Sequence, residues 1–195
     1  MAQRAKIGEQ IKDAVTRDLV NACATLGYKA SVDAYKKHTY NHRTHALHDS
    51  YGSAVYLDGK LVPETIRYTN RGRQRTDDSR GWRGAKDQAA NPKDWRTGRQ
   101  ALHHFLENPP RMSTKNHITI LVVAAQWYAS MLEEGTEKRK KYTVLDFKDV
   151  KSSISQNFNE VIGPVLKKYG LSDFLPTLKR GLGVDETWKD ISRSR

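Results

Sequence analysis

An amphipathic helical pattern at each end of the chain, a strand–turn–strand pattern between them and one short apolar run predict an α+β fold. The expected architecture is a small, mostly antiparallel sheet. A long N-terminal helix and a long C-terminal helix pack on one face of it, and an extended basic arm is added.

The first helix covers residues 5–36. Ile7, Ile11, Ala14, Val15, Leu19, Ala22 and Leu26 recur at three-to-four spacing on one face. Gly27 is expected to kink or interrupt it. Residues 38–50 are polar and rich in His. Two strand patterns follow, residues 53–57 and 60–66, around Asp58-Gly59, a dipeptide suited to the positive φ angles of a type I′ hairpin turn. Residues 97–107 read as a short helix closed by Asn108-Pro109-Pro110. Residues 115–125 are rich in Ile, Thr and Val and barely alternate, which reads as a central strand buried on both faces. A short helix is expected over 126–134, ending at Gly135, and an extended segment or strand over 142–147. Residues 149–169 form the second amphipathic pattern, carried by Ile154, Phe158, Val161, Ile162, Val165, Leu166 and Tyr169. Gly170 caps it, and Pro164 inside it predicts a kink.

The domain organisation follows from composition. Residues 1–67 and 101–170 make one α+β core domain. Residues 68–100 contain no Ile, Leu, Val, Met or Phe, and their only bulky apolar side chains are Tyr68, Trp82 and Trp95. Such a segment cannot bury enough apolar surface to fold alone and reads as an arm or long loop. Residues 171–195 read as a C-terminal tail that docks on a neighbour rather than on its own core. Of the 195 residues, 37% are hydrophobic on a count that includes Tyr and omits Gly. Exchanging the 9 Tyr for the 13 Gly gives about 39%, still below the usual 45–50%, as expected if part of the chain lies outside the core.

Charge and cysteine narrow the setting. The net charge of +12 favours a polyanion or an acidic protein partner. The single cysteine, Cys23, permits no disulfide within one chain, as in a reducing compartment. The N-terminus has no apolar signal region. The longest apolar run, residues 118–125, falls well short of the roughly 20 residues that cross a bilayer. A soluble protein made in a cytoplasm, with no membrane partner, is expected.

Few patterns suggest chemistry. His38, His42 and His45 would share a face at i, i+4 and i+7 if helical, a spacing able to hold Zn²⁺. The surrounding Thr, Tyr, Asn and Arg favour a turn, no Cys is near, and a solvated polar turn is the preferred reading. A metal-dependent nuclease on the same His residues would need a supporting acidic cluster that the sequence lacks. Ser50 and Ser130 lie in no nucleophile elbow, Cys23 reads as packing, and no phosphate-binding glycine loop is present. No catalytic residue, cofactor or metal is assigned, and the chain is not expected to be an enzyme.

The arm is the other candidate. From Arg67 to Arg99 there are ten basic residues against four Asp, a net of +6, and Arg outnumbers Lys eight to two. The arginines are Arg67, Arg71, Arg73, Arg75, Arg80, Arg83, Arg96 and Arg99, and their planar forks pair with phosphates and carboxylates alike. Trp82 and Trp95 suit base stacking or anchoring on a neighbouring subunit. Because the Asp residues interrupt the charge, subunit contact is preferred over direct DNA grip.

Two separated motifs carry a family resemblance. Arg43-Thr44-His45-Ala46-Leu47-His48-Asp49-Ser50 resembles the R-T-G-x-L-x-x-S element that follows the first helix in the tail-completion (minor tail component) family of tailed bacteriophages. Tyr128-Ala129-Ser130-Met131-Leu132-Glu133-Glu134-Gly135-Thr136 resembles that family's Y-A-x-x-L-E-x-G-T element. It follows a strand and precedes a C-terminal helix, as it does there. The resemblance spans about residues 7–169. It implies a small sheet flanked by helices and a non-enzymatic role in an oligomeric ring at the head–tail (neck) junction or top of the tail, through which DNA passes. The implied partners are further copies of the chain, portal, adaptor or tail proteins, and packaged DNA in passing. The implied location is the virion, assembled in the host bacterial cytoplasm. The motif residues have physical readings here. Thr44 caps a turn, Leu47 points into the core, Ser50 bonds backbone, and Gly52 lets the chain enter the strand. Tyr128 and Leu132 share a helix face, and Gly135 ends that helix. His45 stands where the family has Gly, and the arm is longer than a minimal member needs. The rival reading from the residues alone is a nucleic-acid-binding module that uses the Arg/Trp arm.

Overall fold

The computed structural model describes residues 2–39, 46–69, 98–109, 117–125 and 143–183, the side chains of residues 2–7 and of Ala46 excepted. The expected helix over 126–134, the segment 70–97 and the last twelve residues lie outside the described residues.

The chain forms α1 (Ala2–Lys36), a one-turn α2 (Ala46–Asp49), β1 (Tyr51–Leu57), β2 (Lys60–Tyr68), α3 (Gly98–Glu107), β3 (Ile118–Ala124), α4 (Phe147–Lys168), a 3₁₀ turn (Ser172–Phe174) and α5 (Leu175–Arg180). The sheet is three-stranded and antiparallel, in the order β2-β1-β3. Its hairpin closes as the Asp58-Gly59 pair dictates, with φ of 52° and 77°, the signs a type I′ turn needs. The Asp58 carboxylate also accepts from the His117 N–H, and His117 O from the Asp58 N–H, which ties the start of β3 to the hairpin.

Alternation along β1 sorts the sheet's two faces. Tyr51, Ser53 and Val55 point toward α1, and Gly52, Ala54 and Tyr56 toward α3. Val55 packs with Val20 and Ala24 of α1, while Ala54 and Tyr56 pack with Leu102 and Leu106 of α3. Through its neighbours the same sorting places Ile120 and Val122 of β3 under the α1–α4 pair. Helices therefore lie on both faces of the sheet, not on one as expected: α1 and α4 on the first, α3 on the second.

β1, not β3, is the central strand. The apolar run of β3 does meet helices on both faces, but β3 is an edge strand among the described residues, and most of its side chains are half-buried. Hydrophobic periodicity reports faces and is blind to edges. On the other side of β1 the ladder with β2 slips between Ser53 and Val55, where β2 carries Pro63, which has no N–H to give. The Thr65 hydroxyl replaces the missing partner, accepting from Val55 N at 2.9 Å and donating to Val62 O at 2.6 Å.

Gly27 neither kinks nor interrupts α1, which runs unbroken from Ala2 to Lys36. A Cβ there would lie 2.8 Å from Ile120 Cγ2 and 3.1 Å from Ser53 Cβ. The residue marks the closest approach of helix to sheet, with Ala24, Ala30 and Ser31 around it, all buried.

α4 lies antiparallel to α1, and a seam of polar pairs fixes the register. Asp33 accepts from Ser153 Oγ at 2.6 Å, Lys29 Nζ bonds Asn157 and Glu160, and Lys37 bonds Asp149. Asp18 accepts from Lys168 Nζ at 2.7 Å and from the Tyr169 hydroxyl at 2.8 Å. These last two bonds hold the Asp18 carboxyl below its usual range. Beneath the seam Ala22 and Leu26 pack on Phe158, Ile162 and Leu166. Asp146 caps the N-terminus of α4 by accepting from Lys148 N at 2.7 Å. The C-terminus ends in a Schellman turn with Gly170 at φ 68°, Gly170 N–H bonded to Lys167 O and Leu171 N–H to Leu166 O. α4 continues through Pro164, whose side chain faces solvent.

Two segments differ from their sequence readings. Residues 143–146 form an irregular bend rather than a strand, with Val144 buried against Tyr51. Beyond Gly170 the chain folds back on its own body, and Leu171, Leu175 and Leu182 pack against the α1–α4 core. No helix among the described residues is long and apolar enough to cross a membrane.

Candidate functional site

The first half of the family-like pattern builds a joint between α2 and the sheet. Ser50 donates its hydroxyl to Leu47 O at 2.7 Å, and its N–H bonds the same carbonyl at 3.0 Å. This closes the turn that delivers the chain to β1. Ser50 O then accepts from Ala125 N, so the joint also fixes the end of β3. Leu47 is buried with Tyr51 and Val144. At Gly52 a Cβ would stand 2.5 Å from Leu102 Cδ2 and 2.6 Å from the Arg67 carbonyl oxygen. Only glycine lets α3 and β2 close on the entry to β1. Leu47, Ser50 and Gly52 thus take the physical roles read for them. Arg43, Thr44, His42 and His45 lie outside the described residues.

An aromatic cluster, with no local signature in the sequence, seats this joint on the end of α1. The Tyr35 ring stacks on His38 with centroids 4.7 Å apart and meets His48 and Tyr51 edge-on at 4.9 and 5.1 Å. His48 Nδ1 donates to the buried Asp49 carboxylate at 2.9 Å, and the Tyr51 hydroxyl to Val144 O at 2.6 Å. Burial, with the Asp49 charge adding to it, pushes the Tyr35 phenol up. An Asp–His pair is the orienting half of a general-base arrangement. Here its imidazole packs on a tyrosine edge and its carboxylate is enclosed, so the pair serves to satisfy a buried charge. His38 is turned back on its own helix, with Nδ1 donating to Tyr35 O. Among the described residues no three His, Cys, Asp or Glu side chains converge on a point where a metal would sit.

The second site is the root of the arm. Tyr68 closes β2 and Gly98 opens α3, so both ends of the 68–100 segment belong to the folded body. The Arg99 guanidinium lies 4.7 Å over the Tyr68 ring, and a hydrogen bond joins the Tyr68 hydroxyl to His103 Nε2. Thr69 is tied on the other side, its hydroxyl donating to Ser31 Oγ at 2.9 Å and its N–H to Tyr51 O. Arg67 donates to its own strand, at Glu64 O and Ile66 O. Arg67 and Arg99 therefore act as fasteners at the root. Arg71, Arg73, Arg75, Arg80, Trp82, Arg83, Trp95 and Arg96 lie outside the described residues. So does the whole second motif, Tyr128, Ala129, Leu132, Glu133, Gly135 and Thr136.

Cys23 is buried between helix and sheet, and desolvation pushes its thiol up to about 12, the opposite of a nucleophile's tuning. The chain matches no protein-family model, no curated protein and no solved structure.

Proposed function

We propose that this protein is a structural subunit of a tailed-bacteriophage virion, one copy in an oligomeric ring at the head–tail junction or top of the tail. The observation that carries the proposal is the α2–β1 joint. The residues that resemble the family's first motif, Leu47, Ser50 and Gly52, have the contacts that their pattern calls for, between a long first helix and an antiparallel hairpin. On this reading the mechanism is geometric. The α+β body supplies a rigid wedge, sheet edges and helix ends meet neighbouring copies, and the basic arm reaches a neighbour or the channel. Portal, adaptor or tail proteins bound the ring above and below.

Electron microscopy of the particle with which the chain co-purifies is the direct test, and a ring of copies at the neck or tail top is the expected result. Replacing residues 70–97 by a short Gly/Ser linker should spoil assembly while the far-UV circular dichroism of the body persists. A chain that stays monomeric and is found outside any virion overturns the proposal.

A second reading, nucleic-acid binding through the arm, is favoured by the arm's +6 charge and its two Trp. It predicts DNA binding by the free protein with a steep salt slope that disappears with residues 70–97. Since Arg67 and Arg99 are engaged at the root, their substitution should change that slope little.

A further inference from the structure

We propose that the N-terminal turns of α1 dock on the exposed Phe174–Leu178 face of a second copy of this chain. The inference rests on the ring reading and names one of its subunit contacts.

α1 outlasts its partner. The bonds from Lys168 and Tyr169 to Asp18 mark the end of α4 along α1. The sixteen residues before Asp18 project past that end, by about 24 Å at 1.5 Å per residue. Every described side chain from Gly8 to Asp13 is exposed, and Gly8 has open space around it. Yet Ile11 continues the stripe that Leu19, Ala22 and Leu26 bury lower down. An isolated helix of this length is marginal in water, below or near the roughly 12–15 residues needed even for good helix formers, and Gly8 weakens it further. Such a stripe calls for a cover.

Three large hydrophobic residues are exposed among the described residues: Ile11 at 55%, Phe174 at 57% and Leu178 at 43%. Phe174 and Leu178 are four apart on one face of the 3₁₀ turn and α5. Phe174 comes six residues after Lys168, through the Schellman turn, so both apolar patches flank the same end of the α1–α4 pair. α5 then runs away from that end, since Leu182 packs beside Ile154 and Ala30. A chain therefore does not wrap its own α5 around its own projecting turns.

Other parts of the chain fit less well. Residues 126–142 leave from Ala125 and return at Thr143, both tied near the Tyr35 end of α1 by bonds to Ser50 and Thr39. Ile11 stands about 36 Å from Tyr35 along the helix. The path out and back, about 72 Å, exceeds the roughly 60 Å that seventeen extended residues span. Residues 70–97 carry only Trp82 and Trp95 as large apolar groups, and 110–116 only Met112. A second copy offers an apolar pair already ordered on a helix face.

Cysteine cross-linking in the full chain tests the contact. The native Cys23 is buried and does not compete. Ile11→Cys and Phe174→Cys proteins with different tags are oxidised alone and mixed. The expected result is a cross-linked dimer in the mixture and none in either protein alone. Ile11→Glu, a surface change with no folding burden, should remove the oligomer seen by sedimentation velocity. Self-linking of the Ile11→Cys protein alone, or an oligomer unchanged by Ile11→Glu, overturns the contact. No cross-link in a mixture that still sediments as a ring overturns the contact and leaves the ring reading standing. A double Ile11→Cys/Phe174→Cys protein that links only into closed dimers upholds the contact and overturns the ring.

Discussion

Gly27→Ala sets two effects of known size against each other. In an ordinary helix the change is favourable, because Ala exceeds Gly by about 0.8–1.0 kcal/mol in helix propensity. Here the new methyl would stand 2.8 Å from Ile120 Cγ2 and 3.1 Å from both Ser53 Cβ and Ser53 Oγ, where carbon contacts are comfortable near 3.5–4.0 Å. None of these atoms is at the end of a flexible chain. Ile120 is β-branched and stiff at χ1, and Ser53 Cβ is bonded directly to the central strand. Relief requires the helix to lift from the sheet, an overpacking cost of about 1–3 kcal/mol. The net expectation is a loss of about 1 kcal/mol. Gly8→Ala is the internal control, since nothing lies within 4 Å of its added methyl, and it should gain up to about 1 kcal/mol. Urea unfolding followed by circular dichroism reads both as shifts in midpoint at constant slope. The two variants should differ by about 2 kcal/mol, or roughly 4–8 °C in Tm for a chain of this size. Ile120→Ala should relieve the clash and reveal a coupling of about 0.5 kcal/mol or more in a double-mutant cycle. A Gly27→Ala midpoint at or above that of Gly8→Ala would refute the close approach of α1 to the sheet.

Three further outcomes are expected. Ser53 Oγ is buried without a hydrogen-bond partner, so Ser53→Ala should raise stability by about 1 kcal/mol in the same unfolding assay, and a comparable loss would show that the hydroxyl is bonded. Tyr56 donates its hydroxyl to Leu106 O at 2.6 Å, and burial pushes its phenol from 10.0 up to about 12. Its folded value lies above the unfolded one, so its contribution is whole below pH 10 and is lost as pH rises through 12. Tyr56→Phe should cost about 1 kcal/mol at neutral pH and flatten part of the alkaline decline, and an unchanged decline would count against this assignment. Cys23, with its thiol pushed up to about 12, should resist a disulfide reagent at mildly alkaline pH until the chain unfolds. Modification faster than unfolding would contradict its burial.

Local chemistry was legible in the sequence, and long-range chemistry was not. Asp58-Gly59 announced its turn because positive φ is a property of the two residues themselves. Gly170 announced its cap for the same reason. The stripes of α1 and α4 were legible because each faces the other over many turns. Gly27 misled because a glycine in a helix looks like weakness when its neighbours are unknown, and the reason for it, Ile120, lies 93 residues away. The central strand was misplaced because Gly52, Ser53 and Ala54 are small, and smallness in β1 reflects helices pressing from both faces. In the candidate site Leu47, Ser50 and Gly52 were found by pattern. Tyr35, Tyr51 and the Tyr68–Arg99–His103 root were not, since each acquires meaning only from a partner brought in by folding.

The fastened root has a consequence for how such a chain can change over time. Tyr68, Thr69 and Arg99 hold the two ends of the excursion together. The body therefore bears only the entropy of closing that loop, which grows as the logarithm of its length. Doubling the insert costs about 0.6 kcal/mol, and halving it returns the same small amount. Length and composition beyond the root are thus nearly free variables, and a lineage can retune what this segment touches without renegotiating the fold that carries it.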